Sequence, residues 1–590
     1  MRKTRVTAVA AGVALALALS ACGSGGDDDK KDGDGGGSTS TPAFNAAVGH
    51  VYNPSDTKGG TLKMANDSDW DSLDGGDSYY GYGWNFGRLY MRSLVTFKSA
   101  PGAEANQLVP DLAESLGKAS ADAKTWTYKL RKGLKYEDGK PITSKDVKYA
   151  VARSLDKDVL VNGPTYFSDF LDLQGYAGPY KDHDLTMANF KAVDTPDDQT
   201  IVFHLKKPFA GFDYLAMLPA TAPVPPAKDT GTKYKEHVIA SGPYMFKTNE
   251  LGKRFVLVRN PEYDPKTDPD TGRKSLPDEI DVDLNVNQAD IDKRLLNNDL
   301  DVAVSALGVT AETRAQVVND PNLKKYSDSS PQPRTWFTAL NADVAPFDNE
   351  HCRKAVMYAA DKEGYLRSYG GANGGEIATN MMPKMIPGFR QNDLYETKSK
   401  PNGDIEKAKS ELKACGKADG FSTNISYRAE RAAEKATAES LQQSLAKVGI
   451  KTELKAYPQS DYGKLYAGNV DFAKNNGLGL RVYGWGADWN DGFGFLSQIV
   501  DSRAIRAAGN TNFGVKDPKI DQMLDDALEE LDEGKRNKIW GNIDEQVMKD
   551  AYYLPGVWAS TLFYRPERLT NVFISDAYNT YDYTTLGVQK

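Results

Sequence analysis

Trp126-Thr127-Tyr128-Lys129-Leu130-Arg131 opens the stretch of sequence that decides the fold, and it continues as Lys132-Gly133-Leu134-Lys135-Tyr136-Glu137-Asp138-Gly139-Lys140-Pro141. Its first half alternates between apolar and polar residues, which is the pattern of a half-buried strand. A turn follows at Glu137-Asp138-Gly139, and beyond it Thr143 and Asp146 resemble the capping box that starts a helix. The stretch therefore predicts a strand, a turn and a helix in close succession.

The second half of the chain alternates helix and strand. Asp404 can cap a helix that Gly416 ends, and a longer helix from about Ala429 stops at Gly449. An alternating strand then begins at Ile450. Units of helix, glycine and strand build layered α/β folds, so we expect an α/β protein.

The N-terminus has the pattern of an export signal with a lipid attachment site. Basic residues precede an apolar run from Val6 to Ala21, and its roughly 16 residues are too few to cross the hydrocarbon layer as a helix. Leu19-Ser20-Ala21-Cys22 resembles the bacterial lipobox, in which the cysteine thiol receives a diacylglyceryl group before cleavage. We expect residues 1–21 to be removed and lipid on Cys22 to hold the chain at the outer face of the cell membrane. The alternative is an ordinary signal peptide with an incidental cysteine.

The composition favours a flexible linker followed by ordinary globular sequence. Residues 23–41 are nearly all Gly, Asp, Ser, Thr and Lys, so we expect a flexible linker over 22–58. Asp and Glu number 81 against 73 for Lys and Arg, and no basic stripe is present, which argues against a nucleic-acid partner.

No motif in the sequence points to catalysis. The five histidines are not spaced as metal pairs, and HExxH, GxSxG, GxGxxG and Walker motifs are absent. Asp268-Pro269-Asp270-Thr271-Gly272 has the wrong spacing for a calcium loop and fits a surface turn better. We therefore expect binding rather than catalysis, with no catalytic residue, no metal and no cofactor.

Two cysteines remain once Cys22 is assigned to lipid. In an oxidising compartment Cys352 and Cys415 either pair or stay as buried thiols. We favour a disulfide, because two exported free thiols would be a liability.

Several blocks resemble, in order, the peptide-type (oligopeptide- and dipeptide-binding) extracellular solute-binding proteins of ABC importers. They are Gly59-Gly60-Thr61-Leu62, Asp71-Ser72-Leu73-Asp74, Val109 to Ser115, the stretch from Trp126 with Asp146-Val147, Ser241-Gly242-Pro243-Tyr244, Arg259-Asn260-Pro261-Glu262-Tyr263, and Gly484-Trp485-Gly486-Ala487-Asp488-Trp489-Asn490. Together they cover nearly the whole mature chain. Two departures are Tyr136-Glu137-Asp138-Gly139, where many relatives read Phe-His-Asp-Gly, and Lys266 to Ser275, which we interpret as a longer surface loop.

The resemblance implies a two-jawed, periplasmic-binding-protein-like α/β fold with an additional lobe. Lobe I would be discontinuous and comprise residues 59–93, 222–336 and 556–590; the additional lobe would be 94–221, and the opposing lobe 337–555. Two crossing strands near 335–340 and 554–560 would form the hinge, and closure around a ligand would be a hinge motion.

The resemblance also implies a ligand site in the block from Gly484 to Asn490. In the family an aspartate of this motif pairs with the α-ammonium group of a peptide, and the matching residue is Asp488; the alternative is an aspartate that caps a helix. Trp485 resembles the aromatic residue that flanks the ligand, and the backbone of Gly484 and Gly486 can pair with the ligand's main chain like an added strand. Arg481 either meets a ligand carboxylate or forms a structural salt bridge.

A run of aromatic residues is a weaker candidate for the other side of the cleft. Tyr79, Tyr80, Tyr82 and Trp84 can line the facing jaw or belong to the core. The function that the resemblance implies is that of a monomeric, lipid-anchored receptor, which captures oligopeptides and delivers them to the permease subunits of an ABC importer. The alternatives are the same fold with an oligosaccharide, a nickel complex or another metabolite as solute, and an exported hydrolase.

Overall fold

A computed structural model of the protein describes residues 42–458, 461–507 and 509–589. The stretch from Trp126 folds as its pattern predicts, because Thr125–Lys129 is a strand and Ser144–Ser154 is a helix. The backbone N–H of Thr143 donates to the carboxylate of Asp146 at 2.8 Å, which satisfies one unpaired donor at the start of that helix.

The strands, in chain order, are β1 (Thr61–Ala65), β2 (Val95–Phe97), β3 (Leu108–Pro110), β4 (Lys118–Ala119), β5 (Thr125–Lys129), β6 (Val193–Asp194), β7 (Thr200–His204), β8 (Tyr244–Glu250), β9 (Arg254–Arg259), β10 (Glu279–Asp283), β11 (Val302–Ala303), β12 (Ser327–Leu340), β13 (Gly375–Ile377), β14 (Ser422–Arg428), β15 (Lys451–Tyr457), β16 (Leu480–Gly486), β17 (Tyr553–Tyr564), β18 (Leu569–Thr570), β19 (Ile574–Ser575), β20 (Thr580–Tyr581) and β21 (Gly587–Val588).

The α-helices are α1 (Gly81–Gly87), α2 (Ser144–Ser154), α3 (Tyr166–Phe170), α4 (Pro179–Asp182), α5 (Asp213–Ala216), α6 (Gln288–Leu296), α7 (Ala311–Asn319), α8 (Pro321–Lys324), α9 (Glu350–Ala359), α10 (Lys362–Ser368), α11 (Ile405–Ala414), α12 (Ala432–Ala446), α13 (Val470–Asn475), α14 (Gly492–Val500), α15 (Pro518–Glu529) and α16 (Glu533–Lys549). Among the described residues, no helix combines the length and the apolar character that crossing a membrane requires.

Three larger sheets organise these elements. One has the strand order β11-β1-β10-β9-β8, a second β4-β5-β7-β6, and a third β13-β17-β12-β16-β14-β15. The first draws only on segments predicted for lobe I and the second only on 94–221. One buried apolar cluster contains residues of all three sheets, among them Leu62, Phe203 and Phe337. Helices and mixed sheets share one core, as the α/β prediction requires.

The two long strands of the third sheet run through the predicted hinge. β12 and β17 pair antiparallel from Ser327 opposite Tyr564 to Ala339 opposite Tyr553. Their register is interrupted between Pro331 and Thr335, beside the predicted crossing point. The lobe boundaries and the hinge motion themselves stay predictions.

The C-terminal part of the predicted linker is packed against the fold. Ala47 and Tyr52 are buried, and the Ala47 N–H donates to the Asp328 carboxylate at 3.0 Å. The Tyr52 N–H donates to the carbonyl of Val572 at 2.7 Å. The linker prediction was therefore wrong from residue 42 onward, because residues 43–52 include apolar side chains that the Gly- and Asp-rich run lacks. The predicted signal peptide, Cys22 and residues 23–41 lie outside the described residues.

Buried ion pairs hold the surface loop from Lys266 to Ser275 against the rest of the fold. Its Arg273 pairs with Asp268 of the same loop at 2.8 Å and with Asp111 at 2.5 Å. Asp111 also accepts from Arg92 at 2.6 Å, so two arginines share one buried carboxylate. Half of the loop's residues are nevertheless exposed and only Thr271 is buried, so the loop lies on the surface as predicted. The buried charges beneath it are tolerated inside the protein only as a connected network.

A disulfide joins two helices of the segment 337–555. Cys352 lies in α9 and Cys415 directly follows α11, and their Cα atoms are 5.3 Å apart. The bond closes a loop with a sequence separation of 63 residues. Both cysteines lie within the segment 337–555, so the bond constrains that segment, which the sequence predicts to be a single lobe.

Candidate functional site

Asp488 lies just beyond the end of β16 and faces two tyrosines that are distant in sequence. Its Oδ2 atom accepts a hydrogen bond from the Tyr79 hydroxyl at 3.0 Å and another from the Tyr166 hydroxyl. Burial raises the pKa of Asp488 to about 6, and the two tyrosine hydrogen bonds oppose that rise. The three residues come from three different predicted lobes, so the contact joins all of them.

No cation neutralises this carboxylate within the described residues. No Lys, Arg or His side chain in those ranges forms an ion pair with Asp488, and its carboxylate accepts hydrogen bonds from the two tyrosine hydroxyls. The alternative role as a helix cap falls to Asp491, whose side chain accepts from the Phe493 N–H at the start of α14. A carboxylate partly removed from water and without a cation can gain a strong, charge-assisted pairing from an ammonium group.

The residues after Asp488 extend the contact between distant segments. Trp489 is buried and stacks on Tyr214, with ring centroids 5.6 Å apart and an interplanar angle of 11°. Asn490 donates to the side chain of Asn106 at 2.9 Å and to the carbonyl of Asp576 at 2.6 Å. The block from Gly484 to Asn490 is therefore a junction between the segment 337–555 and both other predicted lobes.

Of the aromatic residues predicted to line the facing jaw, Tyr79 contacts the Asp488 carboxylate. Trp84 is buried and donates its indole N–H to the carbonyl of Ser78 at 3.0 Å, as expected for a core residue. Tyr82 packs edge-on against Trp70 at 5.4 Å and stacks on the exposed Tyr80 at 5.5 Å. For Trp84 the structure therefore favours the core alternative.

Tyr166 was missed by the sequence analysis. It is the first residue of α3, a helix of five residues, and 322 positions separate it from Asp488. No motif surrounds it, and a tyrosine beside a phenylalanine in a short helix has the pattern of core packing. The sequence around it is rich in aromatic residues, but such a composition does not indicate which of them faces a ligand site.

One edge of β16 lacks a neighbouring strand where the glycines lie. β12 pairs with β16 up to Gly486, whereas β14 pairs with β16 only through Leu480 and Arg481. Within the described residues, the β14-facing edge from Val482 to Gly486 therefore has no strand partner. Backbone N–H and C=O groups on such an edge can pair with an extended ligand.

The two glycines of this edge make room for side chains of β12. A Cβ atom at Gly484 would lie 2.1 Å from the Trp336 ring, and one at Gly486 would lie 3.0 Å from the guanidinium of Arg334. Any larger residue at Gly484 would displace Trp336. Trp485, between the glycines, is half-buried and donates its indole N–H to the carbonyl of Phe495 at 2.8 Å.

Arg481 serves the internal structure of its lobe. It is buried, and its two Nη groups donate to the carbonyls of Ala467 at 2.7 Å and Phe513 at 3.0 Å. Its side chain is therefore held by backbone carbonyls, and the alternative prediction of a structural salt bridge was wrong. The ligand-carboxylate role predicted for Arg481 does not fit this placement, because neither Nη group points to the open edge of β16.

Metal-ligating side chains do not cluster in the part of the chain that the structure describes. No group of three or more His, Cys, Asp or Glu residues in those ranges is arranged to hold a metal ion.

Comparison with known proteins identifies both the family and the fold of the chain. The family model for bacterial extracellular solute-binding proteins, family 5 Middle, matches residues 107–506. A solved structure named clavulanic acid biosynthesis oligopeptide binding protein 2 shares 36% identity and a TM-score of 0.90, covering 93% of this chain and 99% of that one. The fold class predicted from the sequence is confirmed by this likeness.

Two curated relatives match at lower identity. The probable D,D-dipeptide-binding periplasmic protein of Escherichia coli (strain K12) is 26% identical over 522 residues, which are 87% of this chain and 90% of the relative. Heme-binding protein A of Haemophilus influenzae (strain ATCC 51907 / DSM 11121 / KW20 / Rd) is 28% identical over 495 residues, covering 79% and 81%. The names of these relatives thus include both peptide and non-peptide solutes.

Proposed function

The chain belongs to family 5 of the bacterial extracellular solute-binding proteins, and from that premise we propose that it captures peptides by their free α-ammonium group and delivers them to an ABC permease. Two similar proteins are named for binding oligopeptides and D,D-dipeptides. The observation that carries the proposal is Asp488, a carboxylate with a raised pKa, two tyrosine donors and no cation among the described residues.

Binding would proceed by exchange of partners at Asp488. A ligand ammonium that enters the cleft loses water, and a carboxylate that has already lost water pairs with it at little further cost. The open edge of β16 from Val482 to Gly486 would then pair with the ligand's main chain. Because backbone pairing ignores side chains, this mode tolerates many peptide sequences. Closure about β12 and β17 would enclose the ligand, as a hinge motion between populated open and closed states.

Calorimetry with matched peptides tests this proposal. We expect a pool of short peptides with free amines to bind, and the same pool after N-terminal acetylation to bind at least about 100-fold more weakly, because acetylation removes the charge that pairs with Asp488. Equal affinity for both pools would disprove recognition of the amine. Absence of binding by every peptide, in protein freed of ligand by mild unfolding and refolding, would disprove the peptide proposal.

One comparison favours a second candidate, a non-peptide solute in the same fold. The relative named heme-binding protein A is as similar in sequence as the peptide-binding relatives of this group. Native mass spectrometry of the protein as purified distinguishes the two, because a co-purifying peptide and a heme differ in mass and in absorbance. A bound tetrapyrrole, with no peptide in any preparation, would favour the second candidate.

We also propose that the protein acts as a monomer without turnover and is held at the membrane by lipid on Cys22. The lipobox-like Leu19-Ser20-Ala21-Cys22 supports the anchor, and the extracellular character of the family supports export. A tether of this kind would raise the local concentration of loaded receptor at its permease. Mass spectrometry of the N-terminal peptide should find that the mature chain begins at Cys22 and carries the added mass of a diacylglyceryl group; a mature chain that begins at an unmodified Cys22 would contradict lipid anchoring.

A further inference from the structure

A small cavity lies beside the candidate site, and the side chains of two arginines line it. Arg88 directly follows α1, whereas Arg273 belongs to the loop from Lys266 to Ser275, in which the sequence departs from the family. The cavity has a volume of about 10 Å³, which is close to the smallest volume that holds one water-sized particle. The proposed function assigns no role to this cavity.

Each of the two arginines has one donor without a partner in the described chain. Arg88 is 6% exposed, and the side chain of Arg273 is 1% exposed. In both guanidinium groups the buried Nε–H donates to no acceptor among the described residues. Buried donors without a partner are rare in folded proteins. Two of them on one cavity therefore indicate that a bound particle accepts from both.

The Nη groups of both arginines are already paired with carboxylates. Arg88 Nη1 lies 3.1 Å from the Asp582 carboxylate. Arg273 binds Asp268 at 2.8 Å and Asp111 at 2.5 Å. Burial opposes the charge of Arg273, but these two carboxylates hold its pKa above the ordinary value of an arginine. None of the three carboxylates lines the cavity, so the charged groups that face it within the described chain are guanidinium groups.

The rest of the lining favours an anion over a water molecule. It is mostly apolar, and the apolar side chains are Trp84, Met91, Met217 and Pro219. A water molecule that accepts from both Nε–H groups has to donate two hydrogen atoms of its own, whereas a halide ion only accepts. The carbonyls of Gly87 and Pro219, two of the lining residues, already accept from backbone N–H groups. The hydroxyl groups in the lining can donate to an anion.

We propose that this cavity binds a halide ion, chloride under ordinary conditions, which accepts hydrogen bonds from the Nε atoms of Arg88 and Arg273. The ion links the end of α1 to the loop that carries Arg273. Its affinity is weak, in the millimolar range, because both arginines already have carboxylate partners and the site carries little net charge. A polyatomic anion such as gluconate does not fit a cavity of this size.

The cavity shares a wall with the candidate site. Trp84 lines the cavity and stacks on Tyr79 with ring centroids 5.9 Å apart, and Tyr79 donates to Asp488. Tyr578 also lines the cavity, and its ring centre lies 4.7 Å from the guanidinium carbon of Arg88. The ion thus supports the wall that carries Tyr79 without contacting Asp488. The inference does not depend on which solute the protein binds.

Replacement of halides tests the site in the whole protein. In crystals grown with sodium bromide, an anomalous peak should lie within hydrogen-bond distance of the Nε atoms of Arg88 and Arg273. In solution, replacing sodium gluconate by sodium chloride at constant ionic strength should raise the melting temperature by about 1–3 °C, because an ion that binds only the folded state stabilises it.

Gly87→Ala is the variant that should fill the cavity. An added Cβ at Gly87 would lie 2.9 Å from the Cε atom of Met91, so the flexible end of Met91 has to move, and the cavity beside it is free space. The bromide peak and the chloride-dependent rise in melting temperature should both disappear. Gly81→Ala is the matched control in the same helix, because an added Cβ there meets no atom within 4 Å, and it should respond to chloride like the wild type.

Arg88→Lys tests the donor itself. It keeps a positive charge beside Asp582 but removes Nε, so the chloride-dependent rise should fall by more than half. An ordered water molecule in the cavity without a bromide peak would overturn the proposal, and so would an equal chloride response in the wild type and all three variants. A bromide peak without any effect of chloride on the melting temperature would mean an adventitious ion only, and this result would overturn the proposal as well.

Discussion

Asp488→Asn should lower the affinity for peptides with a free amine by about 150- to 5,000-fold, the largest effect expected of any single substitution in the site. Removing one partner of a buried, hydrogen-bonded charge pair costs about 3–5 kcal/mol, because the other charge is left without compensation. Asparagine has nearly the same shape as aspartate, and its amide oxygen can still accept from Tyr79 and Tyr166, so the fold should persist.

Isothermal titration of both proteins with one peptide and its N-acetyl form measures this effect. The wild type should discriminate strongly between the two ligands, whereas the variant should bind both with the same weak affinity. Tyr166→Phe is the matched control, because it removes a donor to Asp488 but leaves the negative charge. A loss of less than about threefold in Asp488→Asn would contradict a role for this carboxylate in amine recognition.

The pH dependence of binding gives a second measure of the same group. Burial raises the pKa of Asp488 from its ordinary 3.8 to about 6 in the ligand-free protein. Between these values the folded protein holds a proton that the unfolded chain releases, so this group's contribution to ligand-free stability is full below pH 3.8 and is lost as the pH rises through 6. Binding has the opposite sign, because an ammonium ligand needs the ionised carboxylate. Affinity should therefore be constant above about pH 6 and fall about tenfold per pH unit below it.

A second buried carboxylate has to be separated from this effect. Burial also raises the pKa of Asp544 to about 6, but the partners of that carboxylate are Asn380 and the Met381 and Met382 N–H groups and not the tyrosines that bind Asp488. The variant Asp488→Asn distinguishes the two carboxylates, because its affinity for the peptide should not change between pH 5 and 7 if Asp488 alone causes the pH dependence. A slope that survives in this variant would have to be assigned to Asp544 or to the ligand.

The sequence predicted those parts of the fold that depend on local pattern. The strand after Thr125 and its helix were predictable because alternation and a capping box are short-range signals. Asp488 was predictable only because a whole ordered set of blocks resembled a family. The packed residues 42–58 were missed because the linker was judged by the Gly- and Asp-rich run before them, not by its own apolar side chains.

The arginines show why the rest of the site could not be predicted. Arg481 and Arg334 look equivalent in the sequence, since each lies in a strand next to the predicted cleft. The difference between them is which oxygen atoms lie near: backbone carbonyls from Ala467 and Phe513 engage Arg481, whereas no acceptor of the described chain reaches Arg334. Contacts of this kind join residues from separate elements, and no pattern within either strand encodes them.

Removing the disulfide is expected to have the second-largest effect, on stability and not on binding. Cys352→Ala/Cys415→Ser should lower the free energy of unfolding by about 2–4 kcal/mol, because a cross-link over 63 residues restricts the unfolded chain by up to about 4 kcal/mol. Alanine suits the fully buried position 352, where a hydroxyl without a partner would add its own cost. Chemical denaturation of the two proteins, followed by tryptophan fluorescence, measures the difference.

Peptide affinity is the control that shows whether loss of the disulfide affects stability alone. The bond joins α9 to the end of α11 within the segment 337–555, and neither cysteine contacts Asp488 or the open edge of β16. The variant should therefore bind peptides within about threefold of the wild type at temperatures well below its melting point. A wild type treated with reductant should reproduce the loss of stability. If affinity fell in parallel with stability, the disulfide would be holding the site in shape as well as cross-linking its lobe, and the separation of these two roles would be wrong.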